Sequence, residues 1–166
     1  DEIVYASDVP IINGLTDKSH PCQIMADLMT IEEKYKSLDG LNIVWVGDGN
    51  NVCNSWIHAS KHFNFNLKIS CPKDFFPKDE EIKGGNNIQT FYDPLKAVKN
   101  ADVVVTDTWV SMGMADEKER LKKFKGFQVN EKLMSIAKPT SIFLHCLPAH
   151  RGSEVSTEVI DGKQSL

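Results

Sequence analysis

The sequence has little arginine, no paired cysteines and no long apolar run, and each shortage narrows what the chain can be. Only Arg120 and Arg151 occur, against many dispersed lysines, and the net charge is −4. No basic block suits a phosphate backbone, so no nucleic-acid partner is expected. The four cysteines, Cys22, Cys53, Cys71 and Cys146, form no CxxC and no short disulfide spacing. That pattern fits a reduced, cytoplasmic protein with mostly buried thiols. The close pairs His20/Cys22 and His145/Cys146 do not specify a metal site, and none is expected. No run approaches a membrane span, and no basic-then-apolar leader opens the chain, so no membrane partner is expected.

What is present is enough for a core. With 166 residues, 41% hydrophobic and 25% charged, the chain can bury one without staples. Five short apolar runs, at 42–47, 67–71, 88–91, 102–106 and 141–144, alternate with polar or amphipathic stretches. The stretches at 51–63, 94–99, 117–124 and 131–137 read as helices, with Asp93-Pro94 and Asn130 as helix starts. Near-continuous apolar strands separated by helices predict an α/β fold: a doubly wound, Rossmann-like parallel sheet covered on both faces. The first forty residues read differently. An extended stretch at 9–15 leads into a long linking helix at 16–36, whose apolar side carries Ile24, Leu28, Ile31 and Tyr35, with Met25 beside it. Residues 83–87 read as a turn, 157–160 as a short helical turn, and both termini as cuts.

In such a sheet ligands bind beyond the carboxyl ends of the strands. Three polar segments fall there: 47–51, 107–113 and 145–150. Gly47-Asp48-Gly49-Asn50-Asn51-Val52 partly imitates a dinucleotide fingerprint, but Val52 replaces the third glycine and no acid ends the second strand. A tight turn needing glycine for backbone reasons is the competing reading. The amides of Asn50 and Asn51 suit a zwitterionic amino acid. Asp107 ends an apolar strand, where a carboxylate needs a cation or donors; it reads either as a turn acid or as the partner of a substrate ammonium. Ser111, Met112 and Gly113 follow in a loop suited to a lid. Neighbours at a strand end point apart, so His145 and Cys146 need not form a dyad, and Cys146 is expected to contact substrate without covalent catalysis. His20-Pro21-Cys22-Gln23 sits at a helix start, a place that favours anions.

In that order, His20-Pro21-Cys22-Gln23 with Asp27 and Thr30, Asp107-Thr108-Trp109-Val110-Ser111-Met112-Gly113, and His145-Cys146-Leu147-Pro148 resemble the ornithine branch of the transcarbamylase family, in its second, amino-acid-binding domain. The resemblance implies transfer of the carbamoyl group of carbamoyl phosphate to the δ-amine of L-ornithine, without cofactor or covalent intermediate. It implies that Asn51, Asp107, Ser111 and Met112 hold ornithine. His20, Pro21, Cys22 and Gln23 belong to the carbamoyl phosphate site, His20 and Gln23 as donors to the carbamoyl group. The main chain of Cys146 and Leu147 lies near that group, the Cys146 side chain faces the amine, and Asp107 with Cys146 carries the catalytic role. Residues 1–40 become an interdomain segment holding part of the carbamoyl phosphate site, and 41–166 the ornithine-binding domain, truncated at both ends relative to the family. A homotrimer is implied for the full-length form. The family's Ser-Thr-Arg-Thr-Arg phosphate loop is absent. A nicotinamide-dependent oxidoreductase domain and a silent amino-acid-binding module are the alternatives.

Overall fold

The computed structural model describes residues 2–110 and 117–166. Strands β1 (Asn42–Val46), β2 (Asn66–Ser70), β3 (Ile88–Phe91), β4 (Val103–Thr106) and β5 (Ile142–His145) form one sheet. All pair in parallel, in the order β3-β2-β1-β4-β5. Each lies within a residue of the run that predicts it. Helices α1 (Glu2–Tyr5) and α2 (Pro21–Tyr35) precede the sheet, and α3 (Asn51–Ser60), α4 (Asp79–Ile82) and α5 (Pro94–Ala97) connect its first strands. Helices α6 (Glu117–Lys123), α7 (Glu131–Met134) and α8 (Thr157–Ile160) follow, with a 3-10 turn at Lys73–Phe75.

Side chains alternate across the strands, so the period of two divides the core. Ile43, Trp45, Leu67, Ile69 and Val105 face Ile24, Leu28 and Ile31 of α2 and Trp56 and Ile57 of α3. Val44, Val46, Val104 and Phe143 face the other layer, with Phe124, Leu133 and Val159. The sheet is covered on both faces, as its strand composition predicts.

The long helix is a correction. It begins at Pro21 rather than at residue 16. Thr16 Oγ1 accepts from the Lys18 and Ser19 amides, an arrangement that competes with a helical turn. Proline then disfavours helical geometry at the residue before it, and His20 sits at φ −134° and ψ 68°. The helix also serves this sheet directly: the Tyr35 hydroxyl lies 2.8 Å from the carbonyls of both Asp102 and Thr140. Met25 and Met29 point away from the sheet and are exposed.

Three helices are shorter than predicted because their ends tighten into i→i+3 bonds, as in His62 to Ala59 and Ile136 to Leu133. The caps are where expected: Asp93 accepts from the Leu95 amide at 3.0 Å and Asn130 from the Leu133 amide at 3.1 Å. Residues 164–166 run along the outer edge of β5, with the Phe143 amide donating to the Gln164 carbonyl at 2.7 Å.

Candidate functional site

Adjacent β1 and β4 are where strand order reverses, and the chain leaves their carboxyl ends in opposite directions, opening a crevice. The turn after β1 is shaped by its glycines. Gly47 adopts φ 145°, and a side chain on Gly49 would stand 2.4 Å from the Pro77 nitrogen and 2.6 Å from the Phe75 carbonyl. The protein's own 75–77 segment therefore requires that glycine, which supports the turn reading over the dinucleotide one. Asn50 comes next and does two jobs. Its Oδ1 caps α3 through the Val52 and Cys53 amides, at 3.0 and 3.1 Å. Its Nδ2 donates to Asp107 Oδ2 at 2.6 Å, across the crevice. Asn50→Ala should lower unfolding stability by roughly 1–2 kcal/mol, the worth of a helix cap. An unchanged urea midpoint for the purified chain would refute the double role.

Asp107 is 7% exposed, so its charge must be met locally. Oδ1 accepts from the Thr108 amide at 2.7 Å and from the Cys146 thiol at 2.9 Å. These donors are all neutral, and among the described residues no lysine, arginine or histidine forms an ion pair with Asp107. A buried carboxylate oriented by three neutral donors is prepared for a cation from outside. Burial, then the Asp107 carboxylate, pushes the Cys146 thiol well up, so Cys146 stays protonated and donates. That keeps it from acting as a nucleophile.

Beside this crevice Asp48 pairs with Arg120, whose Nε also donates to the Trp109 carbonyl. The guanidinium lies 4.7 Å from the Phe75 ring centre and 5.2 Å from that of Phe124. Burial raises the Asp48 carboxyl, and Arg120 opposes the rise. Sequence reading assigns Arg120 no place; here it braces the loops after β1 and β4.

The start of α2 stands next to that of α3. The His20 amide donates to Ser55 Oγ at 2.7 Å, and Asn51 Nδ2 donates to the Thr16 carbonyl at 2.9 Å. His20 Nδ1 is buried without a hydrogen-bond partner among the described residues. Pro21 opens the helix, Cys22 is exposed, its Sγ 3.4 Å from the Asn13 carbonyl, and Gln23 is half-buried. Gln23 Nε2 donates to Asp27 Oδ1 at 2.9 Å, leaving one amide N–H and the carbonyl oxygen for other partners.

Asp27 is 6% exposed, and burial pushes its carboxyl up to about 6, with Gln23 and then His145 opposing the rise. An acid raised on folding binds its proton more tightly in the native state. Its contribution is fully present below the ordinary 3.8 and is lost as pH rises through about 6. Asp27→Asn should thus stabilise the chain at pH 7 by roughly 1–3 kcal/mol and flatten the wild-type decline between those limits. Urea titrations across pH check it; parallel profiles would overturn the assignment.

Past β5, the His145 side chain is 2% exposed and that of Glu154 is 1%. His145 Nδ1 accepts from the Leu147 amide at 2.9 Å, and Nε2 lies 3.2 Å from Glu154 Oε1. Leu147 is 63% exposed and takes the left-handed φ of 51°, which costs a side-chain-bearing residue roughly 1–2 kcal/mol. Ligand-type atoms of Asp107, His145 and Cys146 lie within 4.8 Å of one another, although His145 and Cys146 bond to different partners as their alternation predicts. The expected ornithine contacts Ser111 and Met112, and the lid, lie outside the described residues. Asn50, whose amide the sequence offers beside that of Asn51, lines the crevice, and Asp48 with Arg120, and Glu154, stand around it without having been expected there. Nothing in the sequence marks Glu154.

Fold and crevice together define an open-sheet α/β domain whose topological switch point holds a crevice beside a buried carboxylate that has no ion-pair partner among the described residues. The chain belongs to the aspartate/ornithine carbamoyltransferase family: its Asp/Orn binding domain matches residues 39–166, and its carbamoyl-P binding domain matches residues 1–33. The ornithine carbamoyltransferase of Rhodopseudomonas palustris strain BisA53 is 52% identical over 99% of this chain and 54% of that protein. That of Caulobacter vibrioides is 52% identical over 100% of this chain and 55% of that protein. The solved ornithine carbamoyltransferase of Pyrococcus furiosus superposes with a TM-score of 0.93 at 45% identity, covering 99% of this chain and 56% of that one. The chain spans about half the length of the curated relatives it matches.

Proposed function

We propose that this chain supplies the amino-acid-binding part of an ornithine carbamoyltransferase. The observation that carries the reading is Asp107, buried, held by Asn50, Thr108 and Cys146, and lacking an ion-pair partner among the described residues. The α-ammonium of ornithine completes that arrangement, and Asn51, Ser111 and Met112 take part in holding the amino acid. The protonated Cys146 faces the δ-amine. The neutral amine attacks the carbamoyl carbon, the new C–N bond forms, the C–O bond to phosphate breaks, and the nitrogen releases a proton, giving citrulline and phosphate. Positioning and fixed dipoles supply the rate. No cofactor is assigned.

His20, Pro21, Cys22 and Gln23, with the main chain of Cys146 and Leu147, hold carbamoyl phosphate from residues 1–40 and the β5 end. Residues 41–166 then form the ornithine-binding domain. The nicotinamide alternative finds no support, since the Gly49 turn is explained by the 75–77 segment and the relatives are carbamoyltransferases. Among the described residues no helix is long and apolar enough to cross a membrane. Four free thiols suit a reducing, cytoplasmic setting. The exposed Ile3, Tyr5, Ile12, Leu15, Met25 and Met29 suit a further domain or the subunits of a homotrimer. Citrulline formation by a complete polypeptide carrying this chain tests the reading. Failure to turn over ornithine, with carbamoylation of another amine instead, would overturn it.

A further inference from the structure

We propose that His145, held by Glu154, is a positioning residue that aims the Cys146 carbonyl into the substrate crevice. This rests on the carbamoyl-transfer reading. The Leu147 amide can only donate, so the His145 Nδ1 it meets at 2.9 Å is an unprotonated acceptor. The ring proton is therefore on Nε2, where Glu154 Oε1 accepts it at 3.2 Å. Glu154 is itself fixed, because Oε1 also takes the His150 amide at 2.5 Å and the side chain is 1% exposed.

The consequence lies in the peptide unit between Cys146 and Leu147. A planar trans peptide points its N–H and C=O in opposite directions. Pinning the Leu147 N–H onto His145 turns the Cys146 carbonyl away from the imidazole. Among the described residues that carbonyl accepts no hydrogen bond. It is left as an acceptor for an N–H of the carbamoyl group, on the same residue whose thiol contacts Asp107. Leu147 is exposed at a left-handed φ, so few side-chain contacts of its own hold this geometry. The buried His145–Glu154 pair holds it instead.

Three variants separate the bonds. In His145→Asn the side-chain oxygen can replace Nδ1 and accept from Leu147. In His145→Gln the amide reaches Glu154, but nothing accepts from Leu147. In Glu154→Gln the Oε1 still accepts from both His145 and His150. In a complete carbamoyltransferase carrying this chain, His145→Gln should lower kcat on the order of 100-fold, with the ornithine KM within about twofold, since misplacing a binding group by an ångström has that scale of effect. The other two variants should retain kcat within about fivefold of wild type, which a purely structural role would not predict.

Two measurements on the 166-residue chain read the pin without catalysis. Nitrogen chemical shifts of the His145 ring should report a bare Nδ1 and a protonated Nε2 near pH 7.5, with no variant needed. The Leu147 amide should exchange slowly in wild type and His145→Asn, and fast in His145→Gln. The opposite tautomer, equal Leu147 exchange in every variant, or a kcat for His145→Gln no lower than for His145→Asn would each overturn the proposal. Absence of carbamoyl transfer by the wild-type complete enzyme would overturn the functional reading instead, and the ring shifts and Leu147 exchange would still decide the pin.

Discussion

Asp107→Asn in a complete carbamoyltransferase carrying this chain should lower kcat/KM for ornithine by roughly 10²–10⁴-fold, the effect of removing one partner of a desolvated charge pair worth about 3–5 kcal/mol. Binding of carbamoyl phosphate alone should change little. The substitution conserves shape, so the loss comes from two sources. The charge that would meet the substrate ammonium is gone. One end of the new side chain is also an amide NH₂ set among groups that already donate: Asn50 Nδ2, the Thr108 amide and the Cys146 thiol. Both effects fall on the ornithine side, because His20 and Gln23 lie at the start of α2 and depend on Ser55 and Asp27 instead. Steady-state kinetics with ornithine and calorimetric titration with carbamoyl phosphate check the split. Near-normal turnover would remove Asp107 from the site, and an equal loss of carbamoyl phosphate binding would mean a collapsed crevice.

What could be read from the sequence was local. The run Val103–Thr106 announces a strand buried on both faces, and Asp93-Pro94 announces a helix start, because each depends on neighbouring residues. The motifs resembling ornithine enzymes marked Asp107 and Cys146, and the fold brings those side chains into contact across 39 positions. The start of α2 was misjudged because Thr16 and Asp17 are good caps by composition, while Thr16 spends its hydroxyl on a turn and Pro21 resets the backbone. Longer links were invisible. Asp48 and Arg120 are 72 positions apart, and nothing at either place marks the other. Asn50 read as one of two interchangeable amides. Only the fold separates them, setting Asn50 against Asp107 and Asn51 against the Thr16 carbonyl. Nothing near Glu154 in the sequence marks it, and only the fold buries it beside His145.

Tested alone at ordinary substrate concentrations, the 166-residue chain should make citrulline from ornithine and carbamoyl phosphate at no measurable rate above the uncatalysed background. The phosphate group needs cations, and this sequence has neither a Ser-Thr-Arg-Thr-Arg segment nor a spare buried arginine. Arg120 is held by Asp48, the Trp109 carbonyl and two aromatic rings, with its side chain 15% exposed. Releasing it would leave Asp48 buried without its counter-charge. Arg151 pairs with Asp161 at 2.7 Å on the surface. The amide donors of the α2 start offer no substitute, since each charge-assisted contact to phosphate contributes roughly 1.5–3 kcal/mol. Three such contacts missing would remove roughly 10³–10⁶-fold in binding and turnover. Colorimetric citrulline assays on the isolated chain, beside a complete polypeptide carrying the same 166 residues, give the comparison. Because Asp107, Asn50 and Cys146 are already assembled here, the deficit should fall on carbamoyl phosphate: raising its concentration should recover some turnover before raising ornithine does. Robust citrulline formation at ordinary substrate concentrations would show that the α2 start and the β5 end bind carbamoyl phosphate without a dedicated phosphate loop.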